Sequence, residues 1–155
     1  MEKIDSLNMV AEFHHTFNAP VLERPQMPAR ERADLRVALL QEELNELKQA
    51  IEDNDIVEVA DALCDLQYVL SGAVLEFGLG EKFPELFAEV QRSNMSKACA
   101  DENQALETVA FYTEKGEESF YEKSGDKFNV HRKSDNKVLK SVHYSPADLK
   151  TILEN

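Results

Sequence analysis

Two long helical segments joined by a short polar turn constrain the fold of this chain most. Within 31–52 apolar side chains recur at helical spacing and, at 100° per residue, share a face about 80° wide: Val37, Leu40, Leu44, Leu47 and Ile51. Residues 56–78 continue as a helix rich in apolar residues, which Gly78 and Gly80 end. Because only Asp53–Asp55 separates them, the two helices are predicted to pack antiparallel, with the first apolar face in the core.

The remaining chain predicts a mainly α-helical bundle with a small β appendage. Apolar spacing and capping residues predict further helices at 3–17, 84–99 and 101–115, and three prolines mark 18–30 as a loop. The period then changes to two short strands, Ser119–Lys123 and Lys127–Arg132, that form a hairpin. A third short strand at 138–139 is an open alternative, and a final helical turn starts at Ser145-Pro146. We therefore expect one domain, with 1–116 helical and 117–155 packed on it.

The charge of the chain restricts its partners. With 30 acidic and 17 basic residues the net charge is −13, and residues 1–114 hold 23 of the acidic ones. Such a field repels nucleic acid and anionic membranes, whereas a divalent cation can invert it locally for a phosphorylated substrate. No signal peptide and no apolar run of membrane-spanning length is visible, and Cys64 and Cys99 lie in helix-like segments without CxxC spacing. These features predict a soluble cytoplasmic protein without a disulfide.

Six carboxylates lie on facing sides of the two long helices. Glu42, Glu43 and Glu46 share the face opposite the apolar stripe, and Glu58, Asp61 and Asp65 fall within about 60° of one another. At about 1.5 Å per residue from the turn, Glu46 and Asp61 lie at roughly 12 and 10.5 Å. Glu43 and Asp65 both lie at about 16.5 Å. The two acidic patches are therefore predicted to oppose each other.

Opposed carboxylates on rigid helices suit Mg²⁺, which takes hard oxygen ligands and completes its shell with water and phosphate. The alternative is an ordinary solvated acidic face, although like charges on facing helices repel without a cation. Leu35, Leu39 and Val69 extend the acidic faces away from the turn. They predict an apolar wall above an acidic floor, and a dimer contact is the alternative for the two leucines.

The acidic pattern resembles the EExxE…ExxD signature of the all-α NTP pyrophosphohydrolases. Glu42-Glu43-Leu44-Asn45-Glu46 matches its first part and Glu58-Val59-Ala60-Asp61 its second. This superfamily includes MazG, the dimeric dUTPases and phosphoribosyl-ATP pyrophosphohydrolase. The segment 61–72 is similar to the one that follows ExxD in MazG-like proteins, and the resemblance covers roughly residues 7–100. Only eleven residues separate Glu46 from Glu58, at or below the short end of the family gap, which leaves the subfamily open.

The resemblance implies a set of roles for these carboxylates. Glu42 would orient or deprotonate the attacking water, and Asp65 would act on a metal through water. The implied reaction is attack on the α-phosphorus, giving a nucleoside monophosphate and pyrophosphate, with Mg²⁺ or substituting Mn²⁺ as cofactor. The metal ligands would be Glu43, Glu46, Glu58 and Asp61.

The segment 92–97 also looks like a family element, in which Asn94 and Lys97 reach substrate phosphates. The two residues are three apart and so share a helix face, and the alternative is a solvated helix end. Residues 135–149 resemble a tail of some MazG-like proteins. Lys140 and Tyr144 either close over a substrate or, as we favour, stabilise the hairpin.

The first helix contributes a candidate pocket for the base of a nucleotide. His14 and Phe17, together with Leu39, are the predicted lining, with ordinary packing or exposure as the alternative for the aromatic and histidine residues. Glu12 to His15 forms one ExxH element, but a di-iron bundle needs two such elements with further glutamates. The histidine-free ExxE and ExxD groups therefore favour a hard cation over iron.

The leading hypothesis is a Mg²⁺-dependent nucleoside triphosphate pyrophosphohydrolase. The alternatives are hydrolysis of another phosphorylated metabolite, such as a phosphoribosyl nucleotide, and a non-catalytic acidic helical interaction module. A helical hairpin exposes apolar residues on both sides, so a homodimer or a dimer of dimers is expected.

Overall fold

The computed structural model describes residues 4–155 and confirms the mainly α-helical class with a small β-hairpin. The chain forms two compact units, one ending at Pro84 and the other beginning at Glu85. The predicted division after residue 116 stays a prediction. The elements are α1 (Ser6–Thr16), α2 (Arg30–Glu52), α3 (Ile56–Glu76), α4 (Phe83–Met95), α5 (Glu102–Glu114), β1 (Ser119–Ser124), β2 (Lys127–Arg132) and α6 (Leu149–Glu154).

In the first unit α2 and α3 pack against each other as the predicted hairpin, and α1 packs on α3. The start predicted for the first helix, residue 3, lies outside the described residues. The loop between α1 and α2 is held by backbone hydrogen bonds from Leu22 N–H to Leu75 O at 3.0 Å and from Gln26 N–H to Phe77 O at 3.1 Å. Gly78 has φ +66°, and a Cβ there would lie 1.9 Å from Arg24 O, so only glycine fits beneath the loop.

The apolar face predicted as the core side of α2 is only partly buried, since Leu40 and Leu47 are half-buried and the other three residues are exposed, so the prediction that the whole face lies in the core is wrong. Val37, Leu44 and Ile51 are 67%, 50% and 61% exposed, whereas the buried residues of α2 are Arg36 and Ala50. A helix packed on one neighbour buries one face, and in this unit the face toward α3 carries small and charged residues instead. The apolar face of α2 is therefore an unpaired surface of this protomer.

In the second unit the β1–β2 hairpin packs beside α5. The strands pair antiparallel from Ser119↔Arg132 to Ser124↔Lys127, and Gly125 has φ +62° in the turn. The core of the unit brings a residue before α5, one on α5, one on β2 and one after β2 together: Cys99, Ala105, Val130 and Leu139. Asp101 caps α5 as predicted, since its side chain accepts a hydrogen bond from Gln104 N–H.

Three boundaries in the second unit differ from the prediction. The helix predicted at 84–99 ends at Met95, and Cys99 forms a β-bridge with Phe128 rather than a helical turn. Val138 forms one isolated bridge with His131 instead of a third strand. The terminal helix begins at Leu149, because the Asp148 side chain caps it by accepting from Thr151 N–H. Before that cap, Ser145 N–H donates to Ser96 Oγ at 2.9 Å, which holds this segment outside a helix.

Across residues 4–155, no helix combines the length and apolar character required to cross a membrane.

Candidate active site

The turn between α2 and α3 sets the level of every acidic residue on the two helices. Asn54 adopts φ +53°, and Asp55 Oδ1 accepts hydrogen bonds from Val57 N–H at 2.9 Å and Glu58 N–H at 3.2 Å. This side-chain cap starts α3 immediately after the turn. Residues at equal sequence distance from Asn54 therefore stand at the same level on the two antiparallel helices.

Glu43 lies at the centre of a group of like charges from both helices. Burial raises the pKa of the half-buried Glu43 carboxyl, and repulsion from Asp65, Glu46, Glu42 and Asp61 raises that pKa further. Two of these neighbours belong to α3 and two to α2. The predicted opposition of the acidic faces is therefore present, with Glu43 and Asp65 each eleven residues from Asn54.

The acidic surface continues toward the turn. A cleft of about 370 Å³ is lined by Glu46 of α2 and Glu58 of α3, together with Asp53 and Asp55 of the turn region. Glu46 and Glu58 thus border one opening, as expected of two groups that share a ligand. The structure gathers the predicted carboxylates along one seam between α2 and α3.

These side chains do not form a closed ligand cage. Among residues 4–155, no three histidine, cysteine, aspartate or glutamate side chains are positioned to hold one metal ion. Mutual repulsion separates carboxylates that no cation neutralises, and Mg²⁺ retains several waters rather than demanding an all-protein shell. A donor set made of carboxylate oxygens, in which burial and like charge together raise the pKa of Glu43, fits a hard divalent cation.

A second charged group, absent from the sequence-based predictions, lies at the other end of the same seam. Glu76 of α3 is fully buried and accepts hydrogen bonds from Arg32 Nε at 3.0 Å, from Arg32 Nη2 at 2.5 Å and from Arg36 Nη2. Burial acts to raise the pKa of Glu76, but the hydrogen bonds and charges of the two arginines outweigh it, so this pKa lies below the usual value. The sequence did carry a signal for this group. Arg32 and Arg36 are four residues apart on one helix face, and Glu76 is as far from the turn as Arg32 is.

Gly72 and His14 complete the surroundings of Arg36. A Cβ at Gly72 would lie 2.7 Å from Arg36 Nη1 and 3.0 Å from His14 Nε2, so α3 approaches both side chains closely there. His14 is 2% exposed, and its Nδ1 donates to Pro20 O at 2.8 Å. Helices α1, α2 and α3 and the first loop thus meet at one buried polar junction.

Comparisons with known proteins agree with the acidic seam. A model of the phosphoribosyl-ATP pyrophosphohydrolase family matches residues 10–94, which is more than half of the chain and includes all six predicted carboxylates. The chain belongs to this family. The family lies within the MazG-like all-α superfamily, so the chain is a pyrophosphohydrolase. The chain is also similar to an uncharacterized protein of Acanthamoeba polyphaga mimivirus, with 22% identity in an alignment that covers 99% of this chain and 97% of that protein.

The three residues predicted to line a pocket for the nucleotide base have different surroundings in this chain. His14 is buried at the junction with Gly72, whereas Phe17 is 65% exposed and its ring lies 4.4 Å from that of Phe13. Leu39 is half-buried on α2. The exposed Phe17 and the half-buried Leu39 retain surface for a ligand, and the role of all three residues stays a prediction.

The predicted phosphate-binding pair lies in the second unit. Asn94 is near the end of α4, and Lys97 follows the helix rather than continuing it. Lys97 Nζ nevertheless donates to Asn94 Oδ1 at 2.8 Å, so the two side chains are paired. Asn94 is the last residue that the family model matches, and Lys97 lies outside the match.

Lys140 and Tyr144 pack on each other in the second unit. Lys140 Nζ lies 4.3 Å from the centre of the Tyr144 ring, and Ser93 Oγ donates to Tyr144 Oη at 3.0 Å. These contacts tie the carboxy-terminal segment to α4, and the predicted stabilisation of the hairpin by the two residues stays a prediction.

A larger cleft of about 570 Å³ lies elsewhere in the first unit, lined by α1, the following loop and the end of α3. Its described lining residues include Leu7, Leu22 and Leu75 and none of the predicted carboxylates. Size alone does not make this cleft the reaction site, because the predicted carboxylates lie along the seam between α2 and α3.

Proposed function

We propose that this protein is a Mg²⁺-dependent nucleoside triphosphate pyrophosphohydrolase that produces a nucleoside monophosphate and pyrophosphate. The observation that carries the proposal is the crowding of Glu43 with four other carboxylates from two facing helices. Like charges on facing helices repel one another, and a bound cation would neutralise them. Membership of a pyrophosphohydrolase family supplies the reaction class.

In this proposal Glu43, Glu46, Glu58 and Asp61 would hold Mg²⁺, with Asp65 acting through a bound water. When bound, Mg²⁺ neutralises phosphate charge and lowers the pKa of a coordinated water. Glu42 is exposed beside this group and would accept the proton of the attacking water.

Asn94 and Lys97 would bind substrate phosphate in this proposal. The hydrogen bond from Lys97 to Asn94 restricts the lysine before a ligand arrives, which lowers the entropy lost on binding. A triphosphate offers anionic oxygens to the ammonium group, and the Asn94 amide nitrogen remains available as a donor. We therefore expect substitutions here to raise KM more than they lower kcat.

Pyrophosphate release from a nucleotide panel, with and without Mg²⁺, tests the proposal. We expect release only with Mg²⁺ or Mn²⁺, and we expect Glu46→Gln and Asp61→Asn to reduce it by more than the ~10–100-fold typical of groups beyond the ligands. Glu52→Gln, an exposed carboxylate on α2 that ion-pairs with Lys48, is the matched control. Unchanged rates in the first two variants would contradict the assignment.

Phosphoribosyl-ATP is the second candidate substrate, and the family match favours it. It carries the same triphosphate chain, so the proposed carboxylates would serve both substrates. Comparing kcat/KM for phosphoribosyl-ATP with the values for the common triphosphates decides between them. A phosphoribosyl-ATP value at least ten times above every simple triphosphate would replace the leading substrate assignment.

We also propose a homodimer or a dimer of dimers. The exposed apolar face of α2 supports it: Leu44, Leu47 and Ile51 line an apolar groove of about 280 Å³ on that face. A second copy of the chain would bury these apolar side chains, and their exposure to water is energetically unfavourable. Sedimentation at micromolar concentration should give an oligomer, and Leu44→Lys should dissociate it. A monomeric wild type would contradict this assembly.

The proposed location is the cytoplasm. Cys64 and Cys99 are free thiols, and a nucleotide substrate with Mg²⁺ is available there. Localising a tagged chain in cells tests this proposal.

A further inference from the structure

The ion-paired group of Arg32, Arg36 and Glu76 is buried at Glu76 and Arg36, whereas the Arg32 side chain is 35% exposed. Two arginines from α2 converge on a single carboxylate of α3, whose side chain is 0% exposed, while the Arg36 side chain is 10% exposed. Placing such charges out of water is unfavourable, and apolar side chains of equal volume commonly serve stability as well or better. Stability alone therefore does not account for this group, and its position in the fold indicates a further role.

This group shares its seam with the carboxylates of the proposed site. Arg36 precedes Glu43 by seven residues, which places it on the same face of α2 about 10.5 Å away. Glu76 follows Asp65 by eleven residues and lies on the same face of α3. Arg32 and Glu76 are each 22 residues from Asn54, just as Glu43 and Asp65 are each eleven. Both groups therefore depend on one axial register between the two helices.

The turn fixes the axial level of the two helices at its own end of the seam. The buried residues of α2 are Arg36 and Ala50, and Ala62 and Gly72 are among those of α3. The repulsion among the carboxylates around Glu43 pushes the two helices apart beyond the turn. A directional contact at the far end of the seam opposes this separation.

We propose that Arg32, Arg36 and Glu76 form a positioning clamp that holds the far ends of α2 and α3 together and thereby keeps the metal-binding carboxylates facing one another at the levels that the turn sets. The planar arginine groups have fixed donor directions, so a separation or rotation of one helix relative to the other breaks several hydrogen bonds at once. The clamp touches neither substrate nor ion and acts through Glu43 and its neighbours. The inference rests on the proposed function, in which those carboxylates bind a divalent cation.

Mn²⁺ binding to the full chain without nucleotide tests the clamp apart from catalysis. The decisive variant is Arg32→Met/Arg36→Met/Glu76→Met, which replaces the ionic group by apolar side chains of similar volume and keeps the core filled. Titration followed by the electron paramagnetic resonance signal of free Mn²⁺ should show about tenfold weaker binding, the size typical for groups that orient metal ligands. Arg30→Met, which removes an exposed ion pair within α2 alone, should leave the affinity unchanged.

The readouts separate positioning from stability. We expect the triple variant to unfold cooperatively near the wild-type temperature, to need about tenfold more Mg²⁺ for half-maximal pyrophosphate release, and to keep its KM for nucleotide within twofold. Wild-type Mn²⁺ affinity in a folded triple variant would overturn the clamp. If that variant does not fold, Arg36→Lys decides in its place, because it keeps the charge but loses the fork, and unchanged Mn²⁺ affinity there overturns the clamp as well.

The clamp and the proposed function fail in different ways. Wild-type protein that binds Mn²⁺ but releases no pyrophosphate overturns the enzymatic proposal and leaves the affinity comparison to decide the clamp. Wild-type protein that binds no Mn²⁺ overturns both.

Discussion

The two ends of the α2–α3 seam hold carboxylates in opposite environments. On the side of the seam toward the turn, four other acidic side chains, two on α2 and two on α3, act on Glu43. Its pKa lies above the usual value because of burial and their repulsion. Near the far end, Glu76 is fully buried, but two arginines hold its pKa below the usual value. The same pair of helices thus disfavours the ionised form of Glu43 and favours the ionised form of Glu76.

This difference distinguishes a ligand site from a structural contact. At the far end the negative charge of Glu76 is compensated within the chain, since Glu76 accepts three hydrogen bonds from Arg32 and Arg36. The carboxylates around Glu43 repel one another in the free protein, so a bound cation would lower the electrostatic free energy of this end. Like charges held at matching levels on two helices, and not acidity in general, therefore distinguish the proposed metal site from the far end of the seam.

The largest predicted effect breaks the far end. Glu76→Gln leaves the buried Arg36 and the partly exposed Arg32 without their counter-charge, and we expect it to lower the free energy of unfolding by about 3–5 kcal/mol. Urea denaturation followed by circular dichroism measures this change. Asp34→Asn, which removes the exposed partner of Arg30, is the control and should change stability by less than about 1 kcal/mol. Equal losses in the two variants would remove the contrast between the ends.

A smaller effect comes from Gly72, where α3 approaches Arg36. Gly72→Ala places a methyl group 2.7 Å from Arg36 Nη1, so the guanidinium group must shift, and we expect a loss of about 1–3 kcal/mol. Gly80→Ala is the matched control, because its new Cβ meets only Leu75 Cδ2, at 3.2 Å. The same denaturation measurement applies. A Gly72→Ala variant as stable as the control would mean that Arg36 has room to move.

The smallest effect relieves the acidic end and depends on pH. Because the folded pKa of Glu43 is raised, its protonated form favours the folded state below the ordinary value of 4.5, and that contribution is lost as pH rises through the raised pKa. Glu43→Gln should therefore stabilise the metal-free protein at neutral pH by about 0.5 kcal/mol, and the gain should vanish in acid. Glu76 has the opposite sign, since its stabilisation is present above 4.5 and declines as pH falls through its lowered pKa.

Thermal unfolding between pH 3 and pH 8 with and without Mg²⁺ checks this prediction. Added Mg²⁺ should reverse the order, because it binds the wild-type carboxylates better than those of Glu43→Gln. A variant that is less stable than wild type at neutral pH without Mg²⁺ would show that repulsion at Glu43 is negligible.

The acidic site could be predicted from sequence because it depends on local rules. A turn of three residues fixes an antiparallel hairpin, and the rise and twist of a helix then place Glu43 opposite Asp65. The family pattern is equally local, since its matched residues lie in two short runs. These two facts brought the predicted carboxylates together without knowledge of the rest of the fold.

The apolar face of α2 shows why other predictions failed. Helical spacing identifies an amphipathic face but does not say which side packs within the chain and which remains exposed. Val37 and Ile51 satisfy the pattern of a core face and yet are 67% and 61% exposed. In the second unit, Cys99 leaves the helical period because its backbone pairs with Phe128, a strand residue distant in sequence. Such contacts carry no local signature.

The sequence by itself determined the helical class, the α2–α3 hairpin and the levels of the acidic side chains, because these follow from backbone geometry and neighbouring residues. Tertiary structure decided that Glu76 is buried between Arg32 and Arg36 and that His14 joins them at Gly72. Burial and ion pairing depend on residues 40 or more positions apart, and the free energy of a charge depends on which of them surrounds it. One carboxylate therefore became part of a clamp, while others of the same chemistry became the candidate metal site.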